Sequence, residues 1–264
     1  MRMQVITGKR LRPRRTLLYG PHGIGKSTWA AHAPSPLFLS CEDGLDDIGV
    51  DRTPTLKHLT DVQGWLVDFL AKEDHGYQTV VIDTVDWLEK LVWKRLCESA
   101  QKDSIEDFGF GKGYTKALDK WSQIITALNV LRNERDLNIV LLAHAKVLTF
   151  RPPDEDSYDR YEPDLHRHAS SYLQEWADEV LFATRRVYTI AKDEGFNRER
   201  TRAVGDGERI VHTCEKPTHM GKRRLLMPDV IPLDWTEYQR YWPGGNVAEG
   251  NTAGTSSNEE QSNG

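Results

Sequence analysis

Apolar residues along the chain follow two patterns: short dense runs, and longer stretches in which they recur every three or four positions. Dense runs at 15–19, 36–42, 79–84 and 138–144 are short enough to be strands buried on both faces. Each is followed sooner or later by helical spacing, which predicts helices over 26–32, 56–72, 85–100, 114–135 and 169–177. Leu59, Val62, Leu66, Phe69 and Leu70 mark one side of the second helix, and Trp87, Leu88, Leu91, Val92 and Leu96 one side of the third. Strands alternating with helices predict an α/β fold around a mostly parallel sheet. Past the fifth helix the rhythm changes. A β-rich run at 179–190, a charged turn at 194–202 and short strands at 209–213 and 224–227 have no helix between them, which predicts an antiparallel C-terminal extension. Residues 244–264 are rich in Gly, Ser and Asn and predict a disordered tail.

Composition narrows this picture. A chain of 264 residues, 38% hydrophobic and 28% charged, can bury one sizeable core. Its apolar runs fall short of the roughly 20 residues a bilayer span needs, and residues 1–15 lack the apolar centre of a secretory signal. The expected location is therefore the cytosol, with no membrane partner. Cys41, Cys97 and Cys214 are too few and too scattered for a disulfide framework and are expected to be ordinary buried thiols. A net charge of −5 does not announce a nucleic-acid partner. Yet Arg2, Lys9, Arg10, Arg12, Arg14 and Arg15 all precede the first acid, Glu42. Such a basic arm is either solvated or lies along nucleic acid.

Candidate chemistry collects where the dense runs end. Gly20, Gly25, Lys26 and Ser27 satisfy the spacing G-x-x-x-x-G-K-[ST], between an expected strand and an expected helix. Glycines there let backbone N–H groups wrap phosphates, so the loop Gly20, Pro21, His22, Gly23, Ile24, Gly25, Lys26, Ser27 and Thr28 is expected to hold a nucleotide. Lys26 would reach the β- and γ-phosphates and Ser27 would hold Mg²⁺. Asp83 closes a β-branched run, the pattern of a central strand that delivers a carboxylate to Mg²⁺. Glu42 and His144 close two further runs, and the parallel arrangement puts all three on one sheet edge. His144 there is either structural or a γ-phosphate sensor. Phe108, Phe110, Lys112 and Tyr114 sit on a glycine hinge, a composition that suits base stacking on single-stranded nucleic acid or the plugging of a groove. The long polar stretch 146–168 with its near edge holds Arg151, Arg160 and Arg167 and is a second candidate nucleic-acid loop. His212, Cys214 and His219 lack a fourth ligand and a paired spacing, so zinc is not expected.

In this order the motifs resemble the RecA/RadA-like ATPase superfamily, specifically the small phage RecA-like ATPases associated with single-strand annealing and recombination. Residues 20–27 look like its phosphate loop, Cys41-Glu42-Asp43-Gly44-Leu45-Asp46 like the segment with its catalytic glutamate, and Val81-Ile82-Asp83-Thr84 like its Mg²⁺ strand. His144 stands where the family places a polar sensor, a glutamine in RecA itself. Residues 221–228 resemble the Lys-Asn-Arg-Phe-Gly motif, with Arg223 and Leu225-Leu226 in place of Asn and Phe-Gly. The resemblance implies a RecA-like P-loop core over 15–235, a basic arm over 1–14 and a tail over 236–264 that is disordered from about 244. It implies Mg²⁺-dependent ATP hydrolysis with Lys26, Glu42 and His144 as catalytic residues, and Lys222 and Arg224 reaching a neighbouring subunit's nucleotide. It further implies a homo-oligomeric ring or filament on single-stranded DNA, with a single-strand-binding protein as a further partner, in the cytosol of a bacterial host. Two rivals stay open: a small-molecule phosphotransferase with 146–168 as its lid, and a nucleotide-gated scaffold that hardly hydrolyses.

Overall fold

Leu, Val and Ile dominate the four dense runs, and all four are strands covered on both faces. The computed structural model describes residues 7–8, 10–71, 75–153, 156–193, 199–204 and 207–243. In chain order these form β1 (Arg15–Gly20), α1 (Lys26–Ala31), β2 (Pro36–Ser40), β3 (Asp51–Arg52), α2 (Leu59–Ala71) and β4 (Thr79–Asp83). Then come α3 (Val85–Ala100), a 3-10 turn (Ile105–Phe108), α4 (Lys112–Glu134), β5 (Asn138–Phe150), β6 (Tyr158–Pro163) and α5 (Arg167–Trp176). The last are β7 (Glu179–Arg185), β8 (Tyr188–Asp193), β9 (Glu199–Val204), β10 (Arg209–His212), β11 (Val230–Pro232) and α6 (Trp235–Gln239).

One sheet runs in the order β11-β10-β7-β1-β5-β4-β2-β3. From β7 to β3 it is parallel, and β10 and β11 add antiparallel to its other side. This is the α/β class expected, with the antiparallel extension where the rhythm changes. Alternate residues serve opposite faces, as a period of two requires. Leu17, Tyr19, Leu39, Ile82 and Leu141 pack under α2 to α5, whereas Leu18, Phe38, Val81, Leu142 and Leu181 pack under α1 and α6. Beneath α1 lies an aromatic cluster: Trp29 meets Trp235 at 4.5 Å between ring centres and Tyr238 at 5.3 Å. Among the described residues no helix is long and apolar enough to cross a membrane.

Register sets the functional edge. Gly20 lies beside His144, Ser40 beside Asp83, and Asp83 beside Leu142, so the loop after β1 and the ends of β2, β4 and β5 meet at the carboxyl ends of the parallel strands. The amino ends are held by charge. Asp178 pairs with Arg15 at 2.8 Å and with Arg132 and Arg224 at 3.4 Å, and Glu179 pairs with Arg14. Two cations of the basic arm are thus committed within the fold, while Arg2 and Lys9 lie outside the described residues.

Several boundaries differ from the expectation. β5 does not stop at His144 but continues to Phe150 and pairs antiparallel with β6 through Phe150↔Tyr158. The stretch expected as a long polar loop or lid is therefore a hairpin, because Val147, Thr149, Tyr161 and their neighbours satisfy their backbone groups across the two strands. The run 179–190 breaks into β7 and β8, and residues 199–202, expected in a turn, belong to β9, which pairs with β8. Residues 194–198 of that turn lie outside the described residues. Residues 224–227 form no strand; Lys222 makes a single bridge to Val180 instead. Within the segment expected as the tail from 236, α6 buries Tyr238, and Tyr241 and Trp242 just beyond it pack on the core. The segment 244–264 lies outside the described residues.

Candidate nucleotide site

β1 runs straight into a glycine turn. A Cβ on Gly20 would sit 2.4 Å from the Ala183 carbonyl oxygen of β7, so the strands leave no room for a side chain there. Gly25 has φ +105°, a left-handed backbone that glycine adopts without strain, and it turns the chain into α1. Lys26 follows, only 6% exposed. Its ammonium donates to the carbonyls of Gly20 and Pro21, both at 3.2 Å, which folds the side chain back over its own loop. Burial lowers the Lys26 pKa, and Asp83, Asp86 and Glu42 work against that shift.

Carboxylates face this lysine from two strands and a helix. Asp83, at the end of β4, is buried and borders the same cavity as the Ser27 hydroxyl. Burial raises its pKa, opposed by Ser27 and Lys26. A hydroxyl and a carboxylate are hard oxygen donors, and such a pair fits Mg²⁺, which takes few protein ligands and keeps water for the rest. Glu42 follows β2, where the N–H groups of Cys41 and Glu42 donate to the Asp83 carbonyl at 2.7 and 3.3 Å. Burial raises the Glu42 pKa, and His144 opposes it.

His144 is held from below. Asp86, in the first turn of α3, accepts from the His144 backbone N–H and from Nδ1, each at 2.9 Å. With Nδ1–H donating to Asp86, Nε2 is left on the Glu42 side, 3.9 Å from Oε1. Burial works against ionisation of Asp86, but the hydrogen bonds from His144 outweigh it and hold its pKa below the ordinary range. His22 of the loop stacks on the His144 ring at 3.8 Å.

These groups line a cavity of about 430 Å³. His22, Gly23, Gly25, Lys26, Ser27, Thr28, Glu42, Asp83 and His144 all border it, as do Asp43 and Arg209. Gly20 and Pro21 meet the Lys26 ammonium from behind, and the Ile24 side chain is buried in the core. Sequence reasoning missed two contributors. Asp86 carried a signal, a carboxylate three residues beyond Asp83 in a helical first turn; Arg209 carried none, because only the β10–β7 pairing brings it here.

The remaining expected residues lie elsewhere. Lys222 donates to the carbonyls of Gln174, Glu175 and Ala177 at 2.9, 2.9 and 2.7 Å, so all three ammonium donors close the end of α5 in its own chain. Arg224, about half exposed, reaches Asp178 at the amino edge of the sheet. Phe108 is flanked by Lys102 and Lys116, each 5.3 Å from its ring centre. Phe110 is fully exposed and Lys112 opens α4. Tyr114 stacks on His166 at 3.9 Å, beside the exposed Arg167. Arg151 is exposed near the hairpin tip. Arg160 corrects its expectation: it is 6% exposed and paired with Glu162 at 3.2 Å and Glu215 at 3.3 Å, so its charge is spent inside the protein.

A family model described as an AAA domain matches residues 12–225. The chain belongs to the AAA-domain family. Its match takes in every strand of the parallel sheet and the whole of the cavity lining. The AAA-domain chain is also similar to an SPbeta prophage-derived uncharacterized protein, YorG, of Bacillus subtilis, at 27% identity over 145 residues. That alignment covers 53% of this chain and 43% of the relative, so the chain spans less than half the relative's length. Among solved structures, the crystal structure of the RadB recombinase is similar at TM-score 0.41 and 11% identity, covering 73% of this chain and 87% of that one. Family, sheet and phosphate loop agree with the RecA-like P-loop reading drawn from the motifs.

Proposed function

We propose that this AAA-domain chain binds ATP with Mg²⁺ and hydrolyses it in the service of a reaction on single-stranded DNA. The observation that carries the reading is convergence: Lys26, Ser27, Asp83, Glu42 and His144 border one cavity, and Asp86 holds the His144 ring there. Hydrolysis places a water in line with the γ-phosphorus; its oxygen forms the new P–O bond while the bond to the β-phosphate oxygen breaks, giving ADP and phosphate. Glu42 orients that water and takes its proton, a role that the upward shift of its pKa suits. Lys26 leaves the Gly20 and Pro21 carbonyls for the phosphates. His144, its ring fixed by Asp86, offers Nε2 at the γ-phosphate edge. Ser27 and Asp83 would hold Mg²⁺, which would supply neutralisation of the phosphate charge.

The DNA arm of the proposal rests on exposed groups: Phe110, Lys112, Arg151 and Arg167 offer a ring and three cations to a single strand. Assembly into a ring or filament would bring Arg224 to a neighbour's site. The test is ATP hydrolysis with and without single-stranded DNA, for the wild type and Lys26→Ala. Hydrolysis that rises with DNA and vanishes in Lys26→Ala is expected; wild-type turnover in Lys26→Ala would remove the nucleotide reading.

A further inference from the structure

We infer that Arg209 is a second phosphate-binding cation of the nucleotide site, supplied by the same chain as Lys26; this rests on the nucleotide reading above. Arg209 opens β10, and the pairing Arg209↔Arg185 lays that strand against β7, which itself flanks β1. Its guanidinium therefore arrives at the phosphate loop from the antiparallel extension. Nη1 lies 3.4 Å from the Ile24 carbonyl oxygen, and a Cβ on Gly25 would come within 2.6 Å of the same nitrogen. The side chain is thus pressed against the loop at the residue before Lys26, and it borders the cavity itself.

Charge gives the position its meaning. Lys26 and Arg209 are the Lys and Arg side chains among the described lining residues, and they face Glu42, Asp43 and Asp83. A nucleoside triphosphate adds several further negative charges to a space already rich in carboxylate. Arg14, Arg15, Arg132 and Arg160 are all paired with carboxylates, whereas Arg209 has no ion-pair partner among the described residues. A guanidinium offers five N–H donors in a planar fork, and the Ile24 carbonyl engages one nitrogen of it. The rest of the fork is free to bind phosphate oxygens, the geometry for which arginine is suited. Supplied within one chain, this cation lets a single subunit capture nucleotide without a neighbour. Lys222, with its donors committed to the end of α5, does not contribute to that capture.

The test is equilibrium binding of ATP with Mg²⁺ to the full chain and to Arg209→Ala, Arg209→Gln, Arg209→Lys and Arg240→Ala, the last an arginine outside the cavity lining that pairs with Glu237 at 2.7 Å. Gln keeps an N–H donor for the Ile24 carbonyl but carries no charge, so it separates phosphate binding from mere anchoring of the loop. Arg209→Ala and Arg209→Gln should each weaken ATP binding about tenfold or more, Arg209→Lys less, and Arg240→Ala hardly at all. Thermal unfolding without nucleotide should be unchanged in the Gln and Lys variants. Arg209→Gln binding ATP within about twofold of the wild type, or Arg240→Ala losing as much as Arg209→Ala, would overturn the assignment. A wild-type chain that binds no ATP is a different result, and it would remove the nucleotide reading itself.

Discussion

At the scale of single residues, Glu42 and His144 divide the work that one water demands. Glu42 is partly buried between Asp83 and His144, and desolvation lifts its pKa above the ordinary carboxylate range. A general base must be ionised, so hydrolysis should fall as pH drops through that raised value and be retained above it. Glu42→Gln preserves size but cannot take a proton. It should keep ATP affinity and lose hydrolysis by about 10²–10⁴-fold, with the acid limb of the pH profile abolished. Steady-state hydrolysis across pH, beside direct ATP binding, checks both outcomes; turnover close to wild type would assign the proton to another group.

Among the elements, α3 touches both halves of the proposed function. Its Asp86 holds His144 at the nucleotide edge, and one turn on, buried Glu89 accepts the His166 backbone N–H at 2.8 Å while the His166 ring stacks on Tyr114. Burial pushes the Glu89 pKa up to about 7, against the pull of that N–H and Lys146. The aromatic loop is thus divided: Tyr114 is committed to His166 and Glu106, Phe108 lies between two lysines, and Phe110 is free. Phe110→Ala should weaken single-strand binding by about 1–3 kcal/mol, more than Tyr114→Ala, when both are measured by fluorescence anisotropy at fixed salt. Equal affinity in Phe110→Ala would take this ring out of the DNA path. Elements with dense apolar runs were legible in the sequence because a strand buried on both faces needs such a run, and the acid or histidine that ends it marks the sheet edge. The hairpin beyond His144 was not, since Lys146, Thr149 and Arg160 look like loop residues until a partner strand satisfies their backbone. Arg160 read as a surface cation for the same reason, and its carboxylate Glu215 lies 55 positions away.

Over the whole molecule, the amino ends of the strands are tied by a buried acid with several arginines. Burial alone would disfavour the Asp178 carboxylate, but Arg15, with Arg132 and Arg14, holds its pKa below the ordinary range. A folded-state pKa depressed in this way contributes stability that is present above the unfolded carboxylate value and lost as pH falls through the folded one. Asp178→Asn leaves Arg15 and Arg132 without their carboxylate and should lower unfolding stability by about 3–5 kcal/mol, read from urea denaturation at neutral pH. A loss below about 1 kcal/mol would mean that solvent already screens the cluster. The opposite edge has its own long reach: Trp29 stands three residues past Lys26 on α1 and packs on Trp235 and Tyr238 from the other end of the chain. When Lys26 swings from its carbonyls to a phosphate, the indole sits one helical turn away from the event. The protein therefore carries its own optical gauge. Intrinsic emission excited at the indole band should change on adding ATP and stay flat in Lys26→Ala, and Trp29→Phe should silence the signal while leaving binding intact.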